Sequence, residues 1–284
     1  MKKTFSIGGV HPADKKISAG CRIEVLPTPQ TVYISMAQHL GAPATPVVAA
    51  GDKVKAGQVI GEPAGFISAY VHSSVSGTVK SVGPRPDLAG NKVTHVEIEV
   101  EGDEWAEGID LTDTLVTEIP SDNKTIIDRI KSNGVVGLGG ATFPTHVKLT
   151  PPEGKKAEIL ILNGAECEPY LTSDYRIMLE KSDQIIVGAA IMKQVLGGPR
   201  TVVGIEDNKP EAIEAMKAAI ARLQAKSAAY NGIEVMVLKK KYPQGGEKQL
   251  IDAVACRQVK SMGLPIDVGA VVQNVATSLA VYDA

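Results

Sequence analysis

Features that define several common protein classes are scarce in this sequence. Its three cysteines, Cys21, Cys167 and Cys256, lie far apart and form no C-x-x-C pair. They predict neither a disulfide framework nor a four-thiolate zinc or iron–sulfur site, so an electron path through such clusters must use cysteines outside these residues. The five histidines are dispersed as well and show no H-E-x-x-H motif, so no metal site is predicted.

The chain also lacks an excess of positive charge and a long apolar run. Thirty basic side chains against 32 acidic ones give a formal net charge of −2, which argues against a nucleic-acid partner. The first residues, MKKTFS, carry two lysines but are not followed by the apolar run of a signal peptide or a membrane span. We expect a soluble, cytoplasmic chain that can still dock on a membrane partner.

The first half of the chain has the pattern of an all-β domain. Behind an N-terminal segment, residues 1–30, short apolar runs separated by Gly and Pro predict strands within residues 31–105. The clearest run, residues 93–100 (VTHVEIEV), alternates apolar and polar positions as a strand with one buried face does. The other predicted strands are residues 32–34, 47–48, 58–60 and 78–82.

Two turns within this half, residues 51–58 and 75–79, resemble those of a lipoyl- or biotinyl-type barrel-sandwich domain. A carrier domain of that type presents a lysine between the two turns, but no lysine occurs from residue 56 to residue 79. A swinging-arm role is therefore excluded, and a scaffolding or docking role is favoured.

The second half, residues 115–284, has the alternation of a Rossmann-like α/β domain. Residues 121–123 can cap a helix, and strands are predicted at 157–162, 201–205 and 233–238. Between them we predict one long helical segment from Ser173 to the stop at residues 197–199, and a helix that opens at residues 207–210. A further helix is predicted near Gly246. This order indicates right-handed βαβ units and a mainly parallel sheet.

Ligands of such sheets bind at the carboxyl ends of the strands, which directs attention to residues 163–172, 206–209 and 239–247. The first of these loops contains NGAECEPY, whose Glu166 and Glu168 can accept hydrogen bonds from ribose hydroxyls or ring N–H groups. Alternatively, both carboxylates simply favour the positive end of the helix that follows. The loop at residues 242–247 (YPQGGE) again combines glycines with an acid.

A glycine-rich stretch, residues 137–148 (GLGGATFPTHVK), precedes the first strand of the α/β half. Its glycines let a ligand approach the backbone, whose N–H groups can bind a phosphate, and Lys148 adds a positive charge. The stretch is neither a Walker loop nor a Rossmann fingerprint. A structural hairpin between helix and strand explains the glycines equally well.

Together with residues 8–12 (GGVHP), residues 38–43 (QHLGAP) and the lysine-free barrel, these motifs resemble the RnfC family over essentially the whole chain. RnfC is a subunit of the Rnf complex, an ion-translocating ferredoxin:NAD oxidoreductase, and is similar to the NADH-oxidising flavoprotein subunit of complex I. The resemblance implies hydride transfer between NADH and FMN. It implies a peripheral position at the cytoplasmic face of the inner membrane, with the other Rnf subunits, and ferredoxin through the complex, as partners.

The same resemblance implies roles for individual residues. Those that correspond to the NADH-binding positions are Phe143, Glu168 and Glu247. Those that correspond to the FMN-binding positions are Gly137, Gly139, Gly140, Lys148, Asn163, Glu166, Gly246, Asn274 and Thr277. The chain departs from the complex I pattern at Leu138, Thr142, His146, Leu149 and Gln273, where it follows RnfC instead. No catalytic side chain and no metal ligand within this chain is implied.

RnfC proteins continue into a domain with two 4Fe-4S clusters, which implies that this chain is a truncated form without its electron exit. An RnfC-like cobalamin reductase shares the flavin domain and is the alternative enzyme. A non-catalytic docking module of an electron-transfer complex is the alternative outside enzymes.

Overall fold

The computed structural model describes residues 3–284, and its chain contacts divide it into two units. The barrel unit comprises Val25–Thr114 and Asp128–Val147, and the sheet unit comprises Met1–Glu24, Leu115–Ile127 and Lys148–Ala284. Among residues 3–284, no helix combines the length and the apolar composition needed to cross a membrane.

The barrel unit contains two antiparallel sheets that share one core. Its strands are β1 (Thr31–Ser35), β2 (Thr45–Pro46), β3 (Lys53–Val54), β4 (Val59–Glu62), β5 (Val71–His72), β6 (Gly77–Pro86) and β7 (Lys92–Val100). One sheet has the order β1-β7-β6-β3 and the other the order β2-β4-β5. Inward-facing residues of both, among them Ile34, Ile60, Val71 and Ile98, form a single apolar cluster, which confirms the barrel-sandwich prediction.

The predicted strand at residues 47–48 is displaced. Strand β2 lies two residues earlier, because its pairing with β4 begins at Thr45 opposite Glu62. Two short strands, β3 and β5, were not predicted, because two-residue strands carry too little pattern to be recognised.

Two helices each include residues of both units. Helix α1 (Asn123–Ser132) begins where predicted, since the Asp122 carboxylate accepts hydrogen bonds from the N–H of Lys124 (3.3 Å) and of Thr125 (3.0 Å). A single helical turn, α2 (Thr145–Lys148), closes the glycine-rich stretch.

The sheet unit contains four parallel strands in the order β10-β9-β8-β11, which confirms the predicted α/β class. The strands are β8 (Ile159–Gly164), β9 (Arg200–Glu206), β10 (Ile233–Leu238) and β11 (Ala270–Asn274). The helices are α3 (Ser173–Glu180), α4 (Ser182–Val195), α5 (Pro210–Gln224), α6 (Glu247–Ala255) and α7 (Val275–Asp283). The last strand and the last helix were not predicted as elements.

Helices cover both faces of this sheet. Ile159 and Ile161 of β8 pack with Leu250 of α6 and with Phe5 of the N-terminal segment. Because successive strand residues point to opposite faces, Gly164 faces the other way, where a side-chain carbon would contact Met178 of α3. Both faces are therefore buried, as the continuous apolar sequence of β8 predicts.

The single long helix predicted from Ser173 is wrong, because the structure has two helices there. Lys181 separates them with a non-helical backbone (φ −133°, ψ 32°), and its N–H still bonds the carbonyl of Ile177 at 2.8 Å. The next residues, Ser182 and Asp183, are of the types that favour a helix start, so α4 begins anew at Ser182.

Helices α4 and α7 approach each other closely at Gly188, where an added methyl group would overlap the backbone carbonyl of Ser278. We expect Gly188→Ala to lower the free energy of unfolding by about 1–3 kcal/mol, the usual cost of overpacking. Gly83→Ala in β6 is the matched control, because no atom lies within 4 Å of its added carbon. Equal chemical-unfolding midpoints for the two variants would contradict this packing.

Candidate functional site

The carboxyl ends of all four parallel strands lie along one edge of the sheet. The register pairs Gly164 of β8 with Ile205 of β9, Leu238 of β10 with Glu206 of β9, and Asn274 of β11 with Asn163 of β8. The loops at residues 163–172, 206–209 and 239–247 therefore emerge side by side, as predicted. The start of α7 joins them at the same edge.

The two glutamates of the loop at residues 163–172, the acidic loop, have different environments. Glu166 is buried, and its carboxylate accepts hydrogen bonds from the N–H of Asp174 (2.7 Å) and of Tyr175 (3.3 Å) in the first turn of α3. The contacts of Glu166 thus agree with the alternative that its carboxylate favours the positive end of the following helix. Glu168 is exposed. Its carboxylate is available to a ligand from solvent.

Asn163 ties the acidic loop to the loop that follows β10. Its Nδ2 donates to the carbonyl of Gly245 at 2.8 Å, and its Oδ1 accepts from the N–H of Ala165 at 3.2 Å. Gly245 N–H in turn donates to Cys167 Sγ at 3.3 Å. Burial raises the pKa of the Cys167 thiol, which disfavours a nucleophilic thiolate. Gly246 directly precedes α6 as its N-cap.

Asn274 connects the last strand with α3. Its Oδ1 accepts from Ala276 N–H (2.7 Å) at the start of α7, and its Nδ2 donates to Asp174 Oδ2 (2.7 Å). Burial raises the pKa of Asp174 to about 6, against the opposing effect of the Asn274 hydrogen bond. Thr277, in the first turn of α7, is fully buried.

Lys148 and Glu247 form an ion pair. The distance between Lys148 Nζ and Glu247 Oε1 is 2.9 Å, and both side chains remain partly exposed. The resemblance assigns the lysine to FMN and the glutamate to NADH. Their pairing places one cation and one anion together at the start of α6.

The glycine-rich stretch forms a hairpin that is supported by the barrel. Gly137 N–H donates to Phe143 O at 2.9 Å, and Leu40 N–H from the barrel donates to Thr142 O at 3.2 Å. These hydrogen bonds agree with the alternative that the ends of the stretch form a structural hairpin. At Gly140, however, an added carbon would meet no atom within 4 Å, and the φ angle is not positive. Neither packing nor backbone conformation requires glycine there.

The predicted residues are thus divided between the two units. Gly137, Gly139, Gly140 and Phe143 belong to the barrel unit. Lys148, Asn163, Glu166, Glu168, Gly246, Glu247, Asn274 and Thr277 belong to the sheet unit.

Residue-level prediction missed a buried ion pair behind the acidic loop. Lys209 and Glu206 are both buried, and Lys209 Nζ lies 3.3 Å from Glu206 Oε2 and 2.6 Å from the carbonyl oxygen of Ala165. Burial raises the pKa of Glu206, whereas the adjacent Lys209 lowers it. The loop at 206–209 was identified from its position after a strand, but no sequence signal shows that Lys209 points inward.

The N-terminal segment also reaches this edge, which the sequence did not predict. A cleft of about 170 Å³ is lined by Asp14 and Lys16 of this segment together with Glu166, Tyr175 and Lys209. Within residues 3–284, no group of His, Cys, Asp and Glu side chains has the arrangement of a metal site.

Comparison with known proteins agrees with this architecture. Residues 130–283 match the family model of the Nuo51 FMN-binding domain, and residues 3–103 match that of the RnfC barrel sandwich hybrid domain. A crystal structure of an NAD+-reducing [NiFe]-hydrogenase in the H2-reduced state aligns with a TM-score of 0.52 at 24% identity. It covers 60% of this chain and 33% of the hydrogenase chain, and it shows similarity of fold.

Among curated relatives, a subunit of the proton-translocating ferredoxin:NAD(+) oxidoreductase complex of Clostridium ljungdahlii is 50% identical over 100% of this chain. The corresponding subunit of the Na(+)-translocating complex of Acetobacterium woodii is 43% identical over 97% of it. The chain spans 60% of the length of both relatives. The two family matches confirm the RnfC resemblance of the motifs. The chain belongs to the family of the Nuo51 FMN-binding domain and carries an RnfC-type barrel sandwich hybrid domain.

Proposed function

We propose that the chain is the FMN- and NADH-binding part of the RnfC subunit of an Rnf-type ferredoxin:NAD oxidoreductase complex. The observation that carries the proposal is the edge of the parallel sheet, where the polar loops after β8, β9 and β10 emerge side by side in a chain of the FMN-binding family. The names of the relatives, which are subunits of ferredoxin:NAD(+) oxidoreductase complexes, support the same function.

Two observations indicate that the residues present fit a flavin nucleotide. Gly140 leaves open space where a side chain would otherwise project. Gln273, near the carboxyl end of β11, is buried, and its Nε2 has no hydrogen-bond partner within the described chain. An unpaired buried donor is costly, and a carbonyl oxygen of a bound ring system would satisfy it.

In the barrel unit, we assign the backbone at Gly137, Gly139 and Gly140 to FMN, and Phe143 to NADH. In the sheet unit, we assign Glu168 and Glu247 to NADH. The FMN residues of the sheet unit are Lys148, Asn163, Glu166, Gly246, Asn274 and Thr277.

The chain's contribution is binding and orientation. The Lys148 ammonium supplies positive charge for a phosphate, and the exposed Glu168 carboxylate can accept hydrogen bonds from ribose hydroxyls. FMN, when bound, supplies the hydride-acceptor chemistry. No side chain of this chain is required as a general acid or base, because hydride transfer needs orientation rather than proton transfer.

The wider setting is part of the proposal. Two 4Fe-4S clusters outside residues 1–284 would accept the electrons, and the partners are the other Rnf subunits, with ferredoxin reached through the complex. The protein sits peripherally at the cytoplasmic face of the inner membrane. The relatives are named as subunits of ion-translocating complexes, which supports the other subunits as partners.

The direct test is to titrate the folded chain with FMN and then add NADH under anaerobic conditions. We expect one flavin to bind per chain and its absorbance to bleach on addition of NADH. A folded chain that binds no FMN would contradict the proposal. If FMN binds but NADH does not reduce it, the result would contradict NADH oxidation and leave FMN binding supported.

Glu168→Gln removes the negative charge but keeps the size of the side chain. We expect the KM for NADH to rise about ten-fold, because hydrogen bonds to a charged acceptor contribute about 1.5–3 kcal/mol, with FMN affinity unchanged. Glu153→Gln is the matched control, since Glu153 is exposed and precedes β8, at the opposite end of that strand. Equal KM values for the two variants would remove Glu168 from the NADH site.

The partly buried Asp174 gives the sheet edge a pH dependence of stability. Its pKa is raised from 3.8 to about 6 in the folded chain, so folding favours the protonated acid. Its contribution to stability therefore falls as pH rises from about 4 to about 6, because the folded state binds more protons than the unfolded state in that window.

We expect Asp174→Asn, which keeps a neutral side chain at every pH, to gain stability relative to the natural chain as pH rises through that window. Chemical unfolding at several pH values measures the difference. The exposed Asp103→Asn is the control. A difference between Asp174→Asn and the natural chain that does not change with pH would show that Asp174 is ionised normally.

A further inference from the structure

Residues 10–19, here called the strap, cross the carboxyl edge of the sheet in the order of its strands. Val10 pairs with Tyr242, in the loop after β10. Asp14 then accepts a hydrogen bond from Asn208 Nδ2, after β9, at 3.1 Å. Finally, the carbonyl of Ala19 accepts from Arg176 of α3, after β8, at 3.0 Å.

Alternation along the strap determines which side chains point inward. Asp14, Lys16 and Ser18 are partly buried, whereas Lys15 and Ile17 between them are exposed. Lys16 therefore points toward the loop that follows β8, and Lys15 is exposed to solvent. Asp14 also forms an ion pair with Lys240, which anchors the strap on the loop after β10.

The ammonium group of Lys16 is bound entirely by the backbone of the acidic loop. Lys16 Nζ donates to the carbonyl oxygens of Glu166 (2.9 Å), Glu168 (2.8 Å) and Leu171 (2.5 Å). An ammonium has three N–H donors, so these contacts account for all of them. Lys16 is thus saturated by the protein and is not an anion-binding group.

The loop held in this way is one that needs external support. Glu166 and Tyr170 both have left-handed backbone angles, with φ of 47° and 70°, which are uncommon for residues other than glycine. Such conformations persist only where the surroundings impose them. The strap supplies a fourth contact there, because the N–H of Tyr170 donates to the carbonyl of Asp14 at 3.0 Å.

We propose that Lys16 is a positioning residue for the dinucleotide: by binding three carbonyls of the acidic loop, it fixes the backbone from which Glu168 presents its carboxylate. This inference rests on the proposed NADH role of Glu168. It explains why a lysine lies within hydrogen-bonding distance of the backbone on both sides of the exposed glutamate. Loss of Lys16 disturbs substrate positioning without removing a group that touches the substrate.

The test compares Lys16→Met, Lys16→Arg and Lys15→Met in the full chain, with NADH as donor and ferricyanide as acceptor. We expect Lys16→Met to raise the KM for NADH about ten-fold with a much smaller change in kcat, since misplacement of a binding group weakens ground-state contacts. Lys16→Arg retains donors and should fall between Lys16→Met and the natural chain. Lys15→Met should stay close to the natural chain, because Lys15 is exposed and contacts the loop through a cation–π contact with the Tyr170 ring at 5.8 Å, which contributes little at an exposed site.

Hydrogen exchange at the Tyr170 amide separates this inference from the proposed function, since it requires no ligand. We expect exchange about ten-fold faster in Lys16→Met than in Lys15→Met, because the amide loses its partner when the strap moves away. Equal exchange in the two variants would contradict the claim that Lys16 holds the strap against the acidic loop. Faster exchange with an unchanged KM overturns the positioning role. A natural chain that binds FMN but does not oxidise NADH overturns the proposed NADH site, and the positioning role with it.

Discussion

The parallel hydrogen-bond register of β8 to β11 is the constraint on which the site depends. In a parallel sheet every strand ends at the same edge, so the register alone brings Gly164, Glu206, Leu238 and Asn274 together from distant parts of the sequence. Helices α3, α5, α6 and α7 begin just beyond this edge. Their N–H groups and positive ends make it favourable for carboxylates, as the capping contacts of Glu166 show.

The same arrangement creates a difficulty for the loop that follows β8. Its backbone turns away from the sheet, so its carbonyl oxygens lose strand partners, and those of Ala165 and Glu166 belong to buried residues. Two lysines from different parts of the chain solve this problem. Lys209 reaches Ala165 from behind the loop, and Lys16 reaches three further carbonyls from the strap. Ammonium groups thereby replace the missing backbone donors, and the loop is fixed from two directions.

Much of the fold can be predicted from the sequence, because fully buried strands have long runs of apolar residues. Strands β8, β9 and β10 were predicted from apolar runs of sufficient length, and their following loops were located correctly. Strand β11 and helix α7 were missed as elements, since the short run AVVQN passes into α7 without a Gly or Pro boundary. The break at Lys181 also lacks such a residue.

The site was less accessible to sequence reasoning than the fold. Parallel topology predicted which loops meet, but the roles of individual residues came from the RnfC resemblance. Lys16 and Lys209 were missed, because a lysine near Pro or Gly resembles any surface lysine until its partners, more than 40 residues away, are known. The glycine-rich hairpin depends on Leu40, about 100 positions earlier, which no local pattern indicates.

The most direct test of the central claim is to map hydrogen exchange along the chain with FMN alone, with FMN and NADH, and without ligand. We expect FMN to slow exchange in residues 137–148 and at the starts of α6 and α7. Subsequent addition of NADH should slow exchange in residues 165–171 of the acidic loop. Protection that avoids the carboxyl edge of the sheet, or that leaves the acidic loop unchanged when NADH is oxidised, would contradict the account.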